Sequence, residues 1–215
     1  MSEFTSGHLL LMKNVETIKH FIERGDILLK LNNKWCIYLY DGGSYFNEGP
    51  DNKVLSISQE LPILYFYNAE DHGWGYKIYD KGKCIAKLDI NYDILFGDSM
   101  ELIQKINPKF DIMEDFYSDE GRILFEKVTQ QVKESDAYLK KVDNMFKYSN
   151  IEQFSLFDIE RTTIDNLKNL IKADYYISLE DMHALVEKFK ETINIEEMEW
   201  ISYDYADDLH LDRIY

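Results

Sequence analysis

The spacing of the hydrophobic residues changes once along the chain, and this change constrains the fold more than any other feature. Up to about residue 90, short segments alternate between apolar and polar residues, which is the period of β-strands. Beyond about residue 91, apolar residues recur every three or four positions, which is the period of amphipathic helices. The sequence therefore predicts an α+β fold in which a sheet-rich half precedes a helix-rich half.

The first half is predicted to form an N-terminal antiparallel β meander with one leading helix. The helix is expected to begin at Asn14, a residue type that favours the N-cap, and to end at Gly25. The pair Asn32-Asn33 and the segment 80–83 have the composition of hairpin turns. The predicted strands cover residues 27–31, 34–40, 54–58, 63–67, 75–79 and 84–90.

The second half is predicted to be mostly helical, with a late strand. Helical periodicity covers residues 98–106, residues 118–146 as one kinked helix or two consecutive ones, and residues 163–171. Ser178 and Asp181 have the spacing of a capping box for a further helix that carries Met182 to Phe189. Residues 200–205 alternate again, which predicts a strand that returns to the N-terminal sheet.

The chain length sets the domain organisation. With 215 residues, 45 % of them hydrophobic, the chain can bury a substantial core. We expect a single compact unit over residues 1–215, which can divide into a sheet-rich lobe (1–97) and an acidic, helix-rich lobe (98–215). Abundant tyrosine and phenylalanine, 16 and 12 residues, exclude a disordered acidic chain.

The sequence also predicts where the protein works. No apolar segment approaches the roughly 20 residues of a membrane span, and no signal peptide is recognisable at the start. Cys36 and Cys84 lie in strand-like, aliphatic segments and are expected to be buried free thiols, as is usual in the cytoplasm, rather than a disulfide. The few prolines and many Ile, Lys, Asn and Tyr residues are typical of an AT-rich bacterial or phage genome. We therefore expect a cytoplasmic protein without a membrane segment.

Negative charge is concentrated in the second half. The formal net charge is -16; residues 1–108 carry 15 acidic and 11 basic side chains, whereas residues 109–215 carry 25 and 13. Such a surface repels phosphate backbones and attracts cations or basic proteins. Direct nucleic-acid binding is not expected, because the aromatic residues are interleaved with acids rather than with Lys and Arg.

The acidic segment, residues 196–212, carries the leading functional hypothesis. Its acids alternate with aromatic residues, which are enriched at the energetic centres of protein interfaces. We expect a non-catalytic protein-binding module that captures a basic protein partner, as an inhibitor, immunity or anti-defence protein does. A plain solubilising role of the charge is the other interpretation of the same bias. The predicted partner-binding residues are Glu197, Glu199, Trp200, Tyr203, Asp204, Tyr205, Asp207 and Asp208.

A divalent metal site is the alternative hypothesis for the same segment. Carboxylates with one imidazole could hold Mg²⁺, Mn²⁺ or Ca²⁺ and make the protein a metal-dependent hydrolase with bound water as nucleophile. The spacing matches no EF-hand loop, and no second segment supplies convincing ligands. The leading hypothesis accordingly needs no cofactor. The candidate ligands are Asp204, Asp207, Asp208, His210 and Asp212.

Two further patterns have ordinary structural interpretations. Ser6-Gly7-His8 places a hydroxyl beside an imidazole, but no nucleophile elbow surrounds it, so a terminal turn or strand start is expected. A second acidic cluster around residue 115 could pair carboxylates for acid–base catalysis. Its last two members are also placed where acids stabilise the first turn of a helix. That cluster consists of Asp111, Glu114, Asp115, Asp119 and Glu120.

Overall fold

The computed structural model describes residues 4–42 and 52–215, with the exception of the side chains of Asp207 and Asp208. Within these ranges, seven strands form one antiparallel sheet, which confirms the α+β class. The strands are β1 (Thr5–Leu11), β2 (Ile27–Lys30), β3 (Trp35–Leu39), β4 (Ile63–Asn68), β5 (Gly73–Asp80), β6 (Lys83–Asn91) and β7 (Asp212–Arg213). Their order across the sheet is β6-β5-β4-β1-β3-β2-β7.

The helices lie mostly in the second half, after the predicted change of period. They are α1 (Val15–Ile18), α2 (Asn52–Ile57), α3 (Asp93–Ile106), α4 (Asp119–Lys133), α5 (Asp136–Phe146), α6 (Arg161–Leu170), α7 (Ala173–Ile177) and α8 (Ala184–Ile193). Short 3₁₀ segments span Met12–Asn14, Lys19–Phe21, Asp115–Tyr117, Ile151–Phe157 and Tyr203–Asp208. The segment from residue 118 to 146 is two helices, because the Ser135 hydroxyl caps α5 by accepting the Tyr138 N–H at 3.2 Å.

The first strand was not expected from the sequence, which placed a helix first. β1 lies in the middle of the sheet and pairs with both β3 and β4. Leu9 and Leu10 point to opposite faces and are both fully buried, as in a strand covered on two sides. Such a run lacks alternation, so period alone does not identify it. Among the described strands, β4, β5 and β6 form three consecutive strands of the predicted meander, and β1 separates them from β3 and β2.

Two strand predictions are wrong in position. The predicted strand at 54–58 is the helix α2, whose Val54 and Ile57 are three positions apart and both buried. The predicted strand at 200–205 contains the start of the 3₁₀ segment Tyr203–Asp208, and Trp200 has a φ of 54°, which interrupts an extended backbone. The chain does return to the sheet, but through β7, which pairs with β2.

Several predicted helix starts are also displaced. Asn14 makes no side-chain cap, and the first helix is one α-turn between two 3₁₀ segments. Thr163 lies inside α6, which begins at Arg161. Ser178 ends α7, where its hydroxyl donates to the Tyr175 carbonyl at 2.7 Å, and α8 begins only at Ala184. Hydroxyl residues satisfy carbonyls at a helix C-terminus as readily as N–H groups at a start.

The core divides between the two faces of the sheet. The larger cluster joins one face to the helices of the second half, and Phe66 of β4 stacks on Phe189 of α8 at 6.0 Å between ring centroids. The smaller cluster joins the other face to α1 and α2 through Leu10, Val54 and Ile57. The larger cluster thus includes residues from both predicted lobes, and the division at residues 97 and 98 stays a prediction.

Both cysteines are free thiols, as predicted, but only Cys36 is buried. The predicted burial of Cys84 is wrong, because Cys84 lies at an exposed position of the edge strand β6. Burial raises the pKa of the Cys36 thiol to about 12, so this side chain behaves as a small apolar residue. Among residues 4–42 and 52–215, no helix is both long and apolar enough to cross a membrane.

Candidate protein-binding surface

The acidic segment is anchored to the sheet by a regular apolar pattern. Ile195, Met198 and Ile201 follow one another at every third position and are at most 1 % exposed. The Ser6 N–H of β1 donates to the Ile201 carbonyl at 2.6 Å, which fixes the segment to the central strand. Burial of three aliphatic side chains and a backbone hydrogen bond orders this part of the chain. The residues between the anchors therefore point outward from a fixed backbone.

Side-chain contacts extend this anchoring along the strands. The Asn32 amide, in the turn between β2 and β3, donates to the Asn194 carbonyl at 3.0 Å and to a Glu197 carboxylate oxygen at 3.2 Å. At the other end of β2, the Tyr203 hydroxyl donates to the Gly25 carbonyl at 3.2 Å. The segment thus follows the length of the strands and is held near both of their ends.

A glycine in β1 makes room for side chains of the neighbouring strand. A Cβ atom at Gly7 would lie 2.7 Å from a methyl group of Ile37 on β3, which is too short for two carbon atoms in contact. The same Cβ atom would lie 3.6 Å from the terminal methyl group of Met198, an ordinary contact distance. Gly7 therefore allows Ile37 to pack over β1 beside the Met198 anchor.

The outward-facing residues are acidic and aromatic. Glu197, Glu199 and Asp204 are exposed, and the side chains of Trp200 and Tyr205 are 43 % and 45 % exposed. Trp200 adopts a φ of 54°, a left-handed conformation that bulky residues rarely take. Strain of this kind persists only where the neighbouring structure enforces it, here through buried Met198 and Ile201. The backbone therefore presents an indole at the surface at an energetic cost.

One buried cation lies beneath this surface. The Lys190 side chain of α8 is 2 % exposed, and its ammonium lies 3.0 Å from Glu187 and 3.4 Å from Glu199. It neutralises part of the charge of Glu199 from below. Within the described ranges, Glu196 and Asp204 make no ion pair. The exposed surface therefore keeps a local excess of negative charge.

The structure describes the side chains of six of the eight predicted partner-binding residues. Five of the six are exposed, whereas Tyr203 is partly buried and also donates a hydrogen bond to the Gly25 carbonyl. The side chains of the other two, Asp207 and Asp208, lie outside the described part of the molecule. The described six are Glu197, Glu199, Trp200, Tyr203, Asp204 and Tyr205.

The described side chains give the metal hypothesis no support. Among them, no group of three or more His, Cys, Asp or Glu residues is close enough to hold a metal ion. Asp204, His210 and Asp212 are therefore not gathered into one site, and Asp212 belongs to β7. Because the side chains of Asp207 and Asp208 are not described, the full set of five ligands stays an untested prediction.

The second acidic cluster has a structural role. A carboxylate oxygen of Asp111 accepts the Met113 N–H at 2.7 Å, and one of Asp115 accepts the Asp111 N–H at 2.8 Å. These bonds shape the loop between α3 and α4. Asp119 and Glu120 occupy the first turn of α4, where their charge complements the helix dipole.

A cavity of about 210 Å³ lies where the acidic segment meets the ends of β1 and β3, and the sequence did not reveal it. It includes His8, which is 4 % exposed, and the pKa of His8 falls to about 3 because burial disfavours the charged imidazole. Ser6-Gly7-His8 lies near the start of β1, so of the two expected structures, a terminal turn or a strand start, the strand start is the observed one. The cavity is lined by Ser6, His8, Leu39, Tyr40, Asp41, Gly42, Ser202, Tyr203 and Asp204.

Comparison with protein-family models, curated proteins and solved structures finds no match for this chain. Its function therefore has to be argued from the structure itself.

Tryptophan fluorescence can measure the local charge of this surface. Trp35 and Trp74 are fully buried, whereas Trp200 is 43 % exposed, so collisional quenchers in water reach mainly Trp200. We expect Cs⁺ to quench at least about twofold more strongly than iodide at low salt, each normalised to free N-acetyltryptophanamide, because nearby carboxylates attract cations. The difference should shrink in about 0.5 M NaCl, where the charges are screened.

The control for this measurement is Trp200→Phe, which should abolish the quenchable fraction for both ions. Equal normalised quenching by Cs⁺ and iodide in the wild-type protein would contradict a negative potential at Trp200.

Proposed function

We propose that the protein is a non-catalytic module that captures a basic protein partner through its acidic segment. The observation that carries this proposal is the exposed Trp200, held on a buried anchor between Glu197, Glu199 and Asp204. An indole and a phenol ring, from Trp200 and Tyr205, offer large apolar contact areas with polar handles. These are the residue types on which protein interfaces concentrate their binding energy.

The carboxylates would increase the association rate of the basic partner and the selectivity of its binding. Opposite charges accelerate diffusional encounter, and like charges exclude acidic competitors. Because Ile195, Met198 and Ile201 already order the backbone, binding loses little conformational entropy in this segment. A rigid acidic surface with aromatic centres suits an inhibitor, immunity or anti-defence protein acting in the cytoplasm of a bacterium or in a phage-infected cell.

The test compares two variants with the same change in charge. The binding variant combines Glu197→Gln, Glu199→Gln and Asp204→Asn. We expect it to bind the partner at least about tenfold more weakly, because each substitution weakens both the attraction in the complex and the electrostatic steering of the encounter, and the three effects add. The partner is first recovered from the native host at low salt by stepwise salt elution, and its affinity and association rate are then measured with both proteins purified.

The matched control removes three exposed acids, one from α4, one from its C-cap and one from α5, through Glu126→Gln, Glu134→Gln and Asp143→Asn. It should bind within about twofold of the wild-type protein. If both variants weaken binding equally, only net charge matters and the surface is not specific. If neither weakens binding, the acidic segment is not the binding site.

The metal hydrolase has a simple separate test. Binding of Mn²⁺ or Mg²⁺ to the native protein would raise the melting temperature, and Asp207→Asn with Asp208→Asn would abolish the rise. No described contact favours this second function over partner capture.

A further inference from the structure

We propose that an exposed apolar cap on the helix pair α3 and α4 docks a basic, amphipathic segment of a partner protein. Among the residues that the structure describes, ten large hydrophobic side chains are exposed, and six of these lie within residues 96–123. Single exposed hydrophobic residues are ordinary, but a concentration of them marks an interaction surface. This surface is separate from the acidic segment. The apolar cap consists of Phe96, Ile112, Met113, Phe116, Tyr117 and Phe125.

Three phenylalanine rings form the base of the cap. The Phe116 ring lies edge-on to the Phe125 ring at 5.1 Å between centroids. The Phe96 ring lies 5.7 Å from Phe125 and 6.3 Å from Phe116. Tyr117 extends the cluster, with its ring 5.6 Å from that of Phe116. Because Phe96 is still 45 % exposed and Tyr117 is 74 % exposed, the cluster is covered on its inner side only.

The direction of the helices places this cluster at one end of the pair. Phe96 of α3 meets Phe125 of α4. One turn later on both helices, the Thr129 hydroxyl donates to the Ser99 hydroxyl at 3.2 Å. The two helices therefore run in the same direction, and the loop of residues 107–118 has to return along them to the start of α3. The aromatic cluster forms where the loop reaches that start.

Local contacts hold the loop in place, so the cap is formed before any partner binds. The Ser118 hydroxyl donates to the Asp115 carbonyl at 2.7 Å and accepts the Gly121 N–H at 3.0 Å. A Cβ atom at Gly121 would overlap the Asp115 carbonyl oxygen, so the absence of a side chain lets the loop pack directly on α4. Binding to a preformed surface loses little conformational entropy.

The charges around the cap favour a basic partner. Residues 109–122 carry five acidic and two basic side chains. Arg122 pairs with Asp119, whereas the exposed Glu114 and Glu120 make no ion pair within the described ranges. The N-termini of α3 and α4 contribute about half a positive charge each, which does not cancel the excess of three negative charges. Lysine or arginine side chains beside the partner's apolar residues would complement these carboxylates.

The same charges disfavour two other occupants. A second copy of the chain would place its own acidic loop against this one, and like charges repel. The formal net charge of -16 adds to that repulsion. An anionic lipid surface is repelled for the same reason. Charge therefore selects a basic segment, and the exposed rings of Phe96 and Tyr117 require this segment to carry apolar side chains as well.

A designed peptide tests the cap with a defined ligand. The probe is a helical peptide of about 18 residues, or about five turns, with leucine on one side and lysine on the other. Its affinity is measured by fluorescence anisotropy of the labelled peptide. A scrambled peptide of the same composition should bind at least about tenfold more weakly, because its leucines share no face. A leucine–glutamate peptide of the same pattern should not bind, because the carboxylates repel it.

Two matched pairs of substitutions locate the site. Met113→Ser with Tyr117→Ser removes side chains that are 79 % and 74 % exposed and should weaken probe binding at least about fivefold. Ile123→Ser with Tyr148→Ser removes side chains that are 66 % and 64 % exposed and should leave the affinity within about twofold. Ile123 lies two positions before Phe125 and points away from it, and Tyr148 follows α5. Circular dichroism checks that both variants are folded.

A methionine methyl group separates the cap from the acidic segment, which also attracts cations. With isotope-labelled methionine methyl groups, the Met113 resonance is assigned by its loss in Met113→Leu and should shift as the probe is added. The shift should persist when the acidic segment is neutralised through Glu197→Gln, Glu199→Gln and Asp204→Asn, because that segment contributes no residue to the cap.

Four outcomes would overturn the proposal. Three are equal binding of the scrambled or glutamate peptide, full affinity after Met113→Ser with Tyr117→Ser, and a Met113 resonance that does not move. The fourth is a wild-type dimer in sedimentation that the same double substitution dissociates, which would assign the cap to a second copy. Loss or retention of partner capture by the acidic-segment variant decides the proposed function alone, so the two proposals fail independently.

Discussion

Replacement of Phe189 by alanine is expected to lower the free energy of unfolding by about 3–5 kcal/mol. Phe189 is fully buried on α8, where its ring stacks on Tyr76 at 5.4 Å and packs 5.1 Å from Trp74 and 5.8 Å from Phe154. The substitution removes aromatic contacts on both the sheet and the helical side, and leaves a cavity that these large rings cannot fill. Urea denaturation followed by circular dichroism measures the loss as a lower midpoint at an unchanged slope.

Two comparisons make this result specific. Phe189→Leu keeps most of the volume and should cost about half as much as Phe189→Ala. Phe96→Ala truncates a phenylalanine that is 45 % exposed and should cost about 1 kcal/mol or less. If Phe189→Ala were as mild as Phe96→Ala, α8 would not join the sheet to the helices as described.

Lowering the pH from 7 to 5 is expected to remove about 2 kcal/mol of stability through His8 alone. The pKa of His8 is about 3 in the folded protein and 6.5 for an unperturbed imidazole. Between these values the unfolded chain binds a proton that the folded protein does not, so stability is complete above pH 6.5 and declines as the pH falls. Unfolding free energies at pH 7, 6 and 5 measure the slope.

The control for this slope is a comparison of two histidine variants. His8→Gln removes the titrating group, so its stability should fall less between pH 7 and pH 5 by about 2 kcal/mol, whatever its absolute stability. His72→Gln makes the same substitution at a side chain that is 57 % exposed and is the reference with which the slope of His8→Gln is compared. An identical slope in all three proteins would show that His8 is not held neutral by burial.

The sequence predicts correctly those elements whose hydrophobic residues recur with a clear period. β6 alternates between buried and exposed residues, and Ser118 caps α4 by accepting the Gly121 N–H at 3.0 Å, where the helix was expected to begin. β1 is covered on both faces, so its period disappears, and α2 is too short for its period to differ clearly from that of a strand. Local pattern fails in both places because packing, rather than propensity, decides the structure.

From the sequence alone, the candidate surface could be recognised only by its residue types. The mixture of acids and aromatics in the acidic segment was visible, and the structure adds that Met198 and Ile201 turn inward while Trp200 turns outward. The cavity could not be predicted, since His8 and Ser202 are brought together only by the path of the acidic segment over β1.

The path of the acidic segment also has a consequence for the order of folding. β1 precedes the other described strands in the chain, yet the residues that cover it and bond to Ser6 follow α8. Contacts this remote in sequence form late in folding because closure of so long a loop is slow. The candidate surface is therefore expected to form only after α8 and the residues that follow it have packed on the sheet.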